Sequence, residues 1–346
     1  MSKAAIAVIG SGSWGTTLAA LSASNGHDVR LLFRSPREAE RVSVSREHGR
    51  AVPGLVLPAS VRPVGEMAVA IGGADLVILA VPSQAMREAT RRVAPHLSGA
   101  TLLSVSKGIE IASLRRMSEV ILEELRSYGS RAAASPIAVL SGPNLSAEIA
   151  AGKPAVAVVA SQDAAVALST RDLMMTPLFR CYTSDDVVGV EMGGALKNIY
   201  AIGAGIGAGM VAGDNARAAF ITRGIAEMSR LGVAAGAHPQ TFAGIAGLGD
   251  LIATCSSETS RNFRLGQALA SGQSLDDALA TLHHVAEGVS TTVAARSLGR
   301  RLGVELPITE QMHQVLFDGK SPQVAIAELM QREPRAEGTG ARPPGR

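Results

Sequence analysis

A chain of 346 residues, 47% hydrophobic and 18% charged, can bury the cores of two domains. Lysine and arginine number 33 against 30 acidic residues, so the net charge of +3 carries no basic tract for nucleic acid, and 3% aromatic content argues against the ring platforms on which single strands stack. The two cysteines, Cys181 and Cys255, form no metal-type cluster, and Met1 to Lys3 leads straight into a strand-like run without a signal peptide, which points to a reducing cytoplasm.

Ala4 to Ile9 is a continuous apolar run before a glycine cluster, Ser13 to Asn25 reads as a helix stopped by Gly26, and Val29 to Phe33 reads as a second strand. Between the first strand and first helix lies Gly10-Ser11-Gly12-Ser13-Trp14-Gly15. In that context G-x-G-x-x-G has a mechanical meaning: a tight turn, close backbone approach to a pyrophosphate, and close helix packing. The free N–H groups of the helix start then face the phosphates of a dinucleotide. Where an NAD site usually carries Asp or Glu at the end of the second strand, this chain has Phe33-Arg34-Ser35-Pro36-Arg37. Arg34 there suits the 2′-phosphate of NADP, with NAD as the second cofactor, and Arg37 is the weaker choice. A solvated surface arginine is the alternative.

Further strand runs follow at Leu76 to Val81, Thr101 to Val105, Ile137 to Leu140, Ala155 to Ala160 and Phe179 to Thr183, with helical segments between them at Ser83 to Val93 and Ser113 to Leu125. This alternation predicts an α/β, Rossmann-like, doubly wound and mostly parallel sheet over residues 1–184. Beyond Ser184 the strand signal stops. Val187 to Met210, Ala216 to Leu231, Ser260 to Ser271, Thr291 to Leu302 and Thr309 to Phe317 read as helices, giving an all-α domain over 185–331 and a disordered Arg-, Pro- and Gly-rich tail over 332–346. Val187 to Met210 is the most apolar stretch, but Glu191, Lys197 and Asn198 within it mark a buried core helix rather than a membrane span. No metal site is expected, since the adjacent His283 and His284 point in different directions on a helix.

Several residues could do chemistry. Lys197, inside Gly193-Gly194-Ala195-Leu196-Lys197-Asn198, needs a partner or a lowered pKa if it is buried, and either suits acid–base work; an ion-paired structural lysine is the competing reading. Lys107 follows the strand Thr101 to Val105, at the sheet end where such folds bind ligands, although a plain loop lysine is commoner. Gly142-Pro143-Asn144 opens a short helix, and taken locally Asn144 reads first as its N-cap. Asp250 and the trio Ser260-Arg261-Asn262 complete the set, the trio being either a phosphate clamp or a helix start capped by Ser260.

Taken together, Gly10-Ser11-Gly12-Ser13-Trp14-Gly15-Thr16, Ser106-Lys107-Gly108-Ile109-Glu110, Leu140-Ser141-Gly142-Pro143-Asn144, Ala195-Leu196-Lys197-Asn198, and Gly249-Asp250-Leu251 with Ser260-Arg261-Asn262 resemble the bacterial NAD(P)-dependent glycerol-3-phosphate dehydrogenase family, from Ile6 to about Met330. The resemblance implies interconversion of dihydroxyacetone phosphate and sn-glycerol 3-phosphate, supplying the latter for phospholipid synthesis. It implies Lys197 as proton acceptor in the oxidation and donor in the reverse, with Lys107 and Asp250 beside the reacting carbon. Gly142, Asn144, Ser260, Arg261 and Asn262 would hold substrate, and Ser13, Trp14, Arg34, Lys107, Ser146, Arg261, Val285 and Glu287 would line the cofactor. Two departures stand out: members usually carry Ser or Thr where Asn144 stands, and Ala where Ser146 stands. A cytoplasmic homodimer is the expected assembly. The competing readings are a related reductase of the ketopantoate or 6-phosphogluconate type and a non-enzymatic NADP-sensing module.

Overall fold

The computed structural model describes residues 3–282 and 285–333. The expected tail from 334 onward and the His283–His284 pair lie outside the described residues. The strands are β1 (Ala5–Ile9), β2 (Asp28–Leu32), β3 (Val61–Val64), β4 (Leu76–Leu79), β5 (Thr101–Ser104), β6 (Ile137–Ser141), β7 (Ala155–Ala160) and β8 (Phe179–Ser184). They form one sheet in the order β3-β2-β1-β4-β5-β6-β7-β8. Pairing is parallel from β3 through β6, antiparallel between β6 and β7, and parallel again between β7 and β8. The first six strands therefore have the 3-2-1-4-5-6 order that binds dinucleotides where the strand order reverses, beside β1. Ile6, Val8, Leu31, Leu76 and Ile78 pack on one face of the sheet, and Ala7, Ile9, Val77, Leu79 and Leu102 on the other. Burial on both faces is why these strands read as continuous apolar runs rather than as alternating ones.

Strand β3 was not expected from the sequence. Pro63 in Val61-Arg62-Pro63-Val64 lacks an N–H, which ordinarily argues against a strand, but β3 lies at the sheet edge and pairs only with β2. The helix expected from Ser113 starts instead at Met117 and runs to Tyr128. Residues 109–116 form a tight turn before it, in which the Ser113 hydroxyl donates to the Glu110 carboxylate, Ile109 bridges Arg116, and Leu114 adopts φ +58°.

From Val187 onward every regular element among the described residues is helical. The helix Val187–Gly209 forms the axis of this half, its Leu196, Ile199, Tyr200, Ile202 and Ile206 buried among Leu231, Phe242, Leu265, Ala295 and Met312. Two carboxylates embedded here act as structural anchors. Glu227 accepts from the Tyr200 hydroxyl at 3.1 Å, from the N–H groups of Ile308 and Thr309 at 2.9 Å each, and from the Thr309 hydroxyl at 2.7 Å, which fastens the start of the Pro307–Phe317 helix. Glu191 reaches across to the sheet half. It accepts from Arg116 and from the Ser118 hydroxyl at 2.6 Å and N–H at 2.8 Å, and its burial pushes its pKa up against the pull of those donors.

Candidate active site

The glycine loop between β1 and the helix Ser13–Ser24 is built so that one position stays open. A Cβ on Gly15 would collide with the Gly10 carbonyl oxygen, and Gly10 itself has φ +113° and lies against the Ala80 carbonyl. Gly12, by contrast, has φ −69° and ψ 178°, and a Cβ there would meet nothing within 4 Å. Two of the three glycines are thus required by protein packing, while the third borders free space at a helix N-terminus. These residues fit a dinucleotide's pyrophosphate. Trp14, the only tryptophan in the chain, sits at the start of the same helix with its ring centroid 6.5 Å from that of Phe179. Arg34 follows β2 and is exposed, while Ser146 opens a short helix and its carbonyl oxygen accepts from Thr17 at 3.4 Å.

At the carboxyl ends of β5 and β6, two lysines from distant parts of the chain meet one carboxylate. Asp250 is fully buried and begins the helix Asp250–Ser256, directly after a π-helical turn over Ile245–Gly249, a geometry that often marks functional sites. One Asp250 oxygen accepts from the Lys197 ammonium and the other from that of Lys107 at 2.7 Å. Lys107 also donates to the Gly142 carbonyl at 2.7 Å, and Lys197 donates to the Thr254 hydroxyl at 2.6 Å. The question of a partner for Lys197 is therefore answered by an ion pair. Two cations around one anion leave a net positive charge in a desolvated place. Burial first, and then the neighbouring Lys197, lower the Lys107 pKa to about 8 in spite of Asp250.

Thr254 was missed in the sequence, although it stands four residues after Asp250 and so shares its helix face. Ser83 was missed as well. Its N–H donates to Glu287 at 3.0 Å and its hydroxyl at 2.5 Å, tying the turn after β4 to the start of the helix Glu287–Leu302. Burial raises the Glu287 pKa, and Arg261 nearby opposes the shift.

Asn262 belongs to a chain of amides. It donates to Asn198 at 2.9 Å and accepts from the Gly288 N–H at 3.0 Å, while Asn198 donates to the Gly194 carbonyl at 3.3 Å and the Lys107 carbonyl at 3.5 Å. With its carbonyl engaged, Asn262 retains one free amide hydrogen for a ligand. The Ser260 hydroxyl accepts from the Phe263 N–H at 3.3 Å and so caps the helix Arg261–Ala270, at whose start Arg261 is exposed. The capping expectation for Asn144 is corrected. The residue before the Ser146–Ala150 helix is Leu145, and the Asn144 amide instead donates to the Val156 carbonyl at 3.1 Å while its own oxygen is buried without a partner. Its side chain bridges to β7, which has no sequence signature. Gly142, with φ +141°, lies against β7 beside it.

The structure thus brings Lys107, Lys197, Asp250, Gly142, Asn262 and Glu287 to one region where sheet and helices meet. Arg34 is exposed just beyond β2, Ser146 meets Thr17 of the first helix through its carbonyl, and Val285 is exposed. Such a cluster can hold an anionic substrate and move a proton at a carbonyl or hydroxyl oxygen, beside a bound dinucleotide.

Comparison with known proteins agrees over almost the whole chain. Residues 5–167 match the family model described as NAD-dependent glycerol-3-phosphate dehydrogenase N-terminus, and residues 186–327 match its C-terminus counterpart. A glycerol-3-phosphate dehydrogenase [NAD(P)+] of Nitratidesulfovibrio vulgaris (strain DP4) is 47% identical over 333 residues, which cover 96% of this chain and 99% of the relative. The protein of the same name from Desulfitobacterium hafniense is 45% identical over 335 residues, covering 96% and 93%. Among solved structures, glycerol-3-phosphate dehydrogenase from Coxiella burnetii superposes with a TM-score of 0.90 at 34% identity, covering 95% of this chain and 99% of that one.

Proposed function

The chain belongs to the NAD-dependent glycerol-3-phosphate dehydrogenase family, and from that premise we propose that it interconverts dihydroxyacetone phosphate and sn-glycerol 3-phosphate with NADP or NAD. The observation that carries this reading is the Lys107–Asp250–Lys197 cluster, drawn from both halves of the chain, at the sheet end beyond the glycine loop.

Gly10, Gly12, Ser13, Trp14 and Gly15 would hold the cofactor's phosphates, and Arg34, Glu287, Val285, Ser146, Lys107 and Arg261 would line the rest of it. When bound, the cofactor would supply the hydride that C2 of the three-carbon substrate takes up in reduction, and accept it in oxidation. Lys197 gives a proton to the substrate oxygen in reduction and takes it back in oxidation, and Asp250 orients that ammonium from one side while Thr254 does so from another. Lys107, only partly exposed, adds positive charge beside the oxygen that becomes negative as the carbonyl is reduced. Gly142, Asn144 and Ser260 orient the substrate, and Arg261 neutralises its phosphate with the remaining Asn262 hydrogen assisting.

Arg34 in place of an acidic residue supports a preference for NADP. The wider setting proposed is a cytoplasmic homodimer that supplies glycerol 3-phosphate for phospholipid synthesis. No helix among the described residues is long and apolar enough to cross a membrane.

The test is a spectrophotometric assay with dihydroxyacetone phosphate, comparing NADPH and NADH, for wild type and Arg34→Ser. Turnover with both cofactors, a lower KM for NADPH, and loss of that advantage in the variant are expected. Turnover of ketopantoate but not of dihydroxyacetone phosphate would overturn the substrate. Light scattering at twice the 35.5 kDa of one chain is the result expected for the dimer.

A further inference from the structure

His48 stands outside every motif in the sequence, yet it touches the glycine loop. It lies in the loop after the helix Pro36–Ser45, is 5% exposed, and donates from Nε2 to the Ser11 carbonyl at 2.9 Å. Its ring stands edge-on to Phe33, with centroids 5.1 Å apart and planes at 73°. Its Nδ1 is buried without a partner. Burial lowers the pKa of the ring.

The loop that presents His48 is itself fastened. Arg46 adopts φ +58° and its guanidinium donates to the carbonyls of Leu57 at 3.2 Å and Val61 at 3.0 Å, and also to that of Pro58. The Leu57 N–H donates back to the Arg46 carbonyl at 2.7 Å. His48 also holds its own loop, its carbonyl accepting from the N–H of Ala51 at 2.8 Å and of Val52 at 3.1 Å.

The Ser11 carbonyl receives a second donor, the Thr16 hydroxyl at 3.2 Å. Across a planar trans peptide, the carbonyl of one residue and the N–H of the next point in opposite directions. Pinning the Ser11 oxygen to His48 and Thr16 therefore turns the Gly12 N–H to the other side of the loop, away from both. Gly12 has no Cβ to hinder an approach there, and the space around it is open.

Resting on the nucleotide-binding reading above, we propose that His48 is a positioning residue for the cofactor: it locks the Ser11–Gly12 peptide in the orientation that offers the Gly12 N–H to the diphosphate. Thr16 belongs to the helix that the loop precedes, so its hydrogen bond ties the loop only to that helix. His48 comes from a separate segment tied to β3 and braces the loop from outside. Through Phe33 it also joins that loop to the end of β2, where Arg34 follows.

The test uses the full-length protein with His48→Phe, which keeps a ring against Phe33 but has no donor, and His48→Gln, whose amide restores one. Binding of NADPH is followed by the emission of Trp14, which sits beside the loop. Loss of one neutral hydrogen bond predicts a dissociation constant about fivefold higher in His48→Phe, with at least half of the effect recovered in His48→Gln. The KM for dihydroxyacetone phosphate at saturating NADPH stays within twofold of wild type in both. Equal NADPH affinity in His48→Phe and wild type would overturn the proposal, as would His48→Gln binding no better than His48→Phe at an unchanged melting temperature. A wild-type chain that binds neither NADPH nor NADH would instead overturn the cofactor reading on which the proposal stands. If His48→Phe does not fold, His48→Gln and His48→Ala carry the same comparison.

Discussion

Asp250 has two ammonium partners, and that asymmetry sets what each lysine contributes. Removing Lys197 leaves Asp250 still paired with Lys107, so the fold survives while the group assigned to proton transfer is lost. Lys197→Ala is expected to lower kcat about 10²- to 10⁴-fold and to leave NADPH affinity within twofold of wild type, as read by steady-state kinetics beside a binding titration. Unchanged turnover would take Lys197 out of that role. Burial shifts the pKa of Lys107 downward. Its folded value of about 8 lies below the ordinary 10.5, so it is cationic below pH 8 and discharges as the pH rises further. The KM for dihydroxyacetone phosphate should accordingly climb as pH passes about 8, whereas Lys107→Arg, which keeps its charge, should show no such inflection. A stability consequence follows with the opposite sense. Between about 8 and 10.5 the unfolded chain binds more protons than the folded one, so this residue makes stability rise with pH across that window. At the residue scale the sequence already exposed both lysines and Asp250, because a charge in an apolar or loop-end setting is conspicuous. Thr254, Ser83 and His48 were not conspicuous, since a threonine in a helix, a serine in a turn and a histidine in a loop acquire meaning only through partners that are distant in sequence.

Elements impose a different kind of limit, one of space. Gly12 and Gly15 belong to one motif, yet they should fail differently when a methyl group is added. Gly12→Ala places its Cβ in open space at a backbone conformation that alanine adopts readily, so the melting temperature should hold within about 2 °C while NADPH binding weakens by more than tenfold. Gly15→Ala drives its Cβ into the Gly10 carbonyl and should lower the melting temperature by several degrees, with NADPH binding lost as well. Thermal unfolding with and without NADPH separates the two, and a large loss of stability in Gly12→Ala would contradict the geometry. Legibility at this scale followed burial. Strands covered on both faces were plain as apolar runs, and the Val187–Gly209 helix was plain from its length. Strand β3 was hidden by Pro63, and the short helices Met67–Ile71, Pro239–Ala243 and Asp250–Ser256 are too brief to show a helical period.

For the whole molecule, the interface between sheet and helices decides whether the site exists. Glu191 in the helical half holds Arg116 and Ser118 of the sheet half, and Arg116 is largely withdrawn from solvent. Glu191→Ala leaves the Arg116 guanidinium with Glu119 as its one carboxylate and takes the acceptor from the Ser118 N–H and hydroxyl, and is expected to cost about 1–3 kcal/mol, measured by urea denaturation. Because the contact joins the two halves, unfolding should also separate into two steps, with sheet and helix signals no longer coinciding. A single unchanged transition would show that the halves are held together elsewhere. The general division into a sheet half and a helical half could be read from the loss of strand-like runs after Ser184, but not the contacts between them, for which paired charges far apart in the chain leave no periodic trace.

The shared carboxylate has one more implication, for how such chains can be recombined. Lys107 is inherited with the amino-terminal half, whereas Asp250 and Lys197 travel with the carboxyl-terminal half. A chimaera joined near residue 185 from two distant homologues could keep every functional group and still be inert, if the two donors place that ammonium and that carboxylate at slightly different heights. Grafting should succeed only between parents whose halves agree on this single spacing, which makes the Lys107–Asp250 distance a criterion for choosing them.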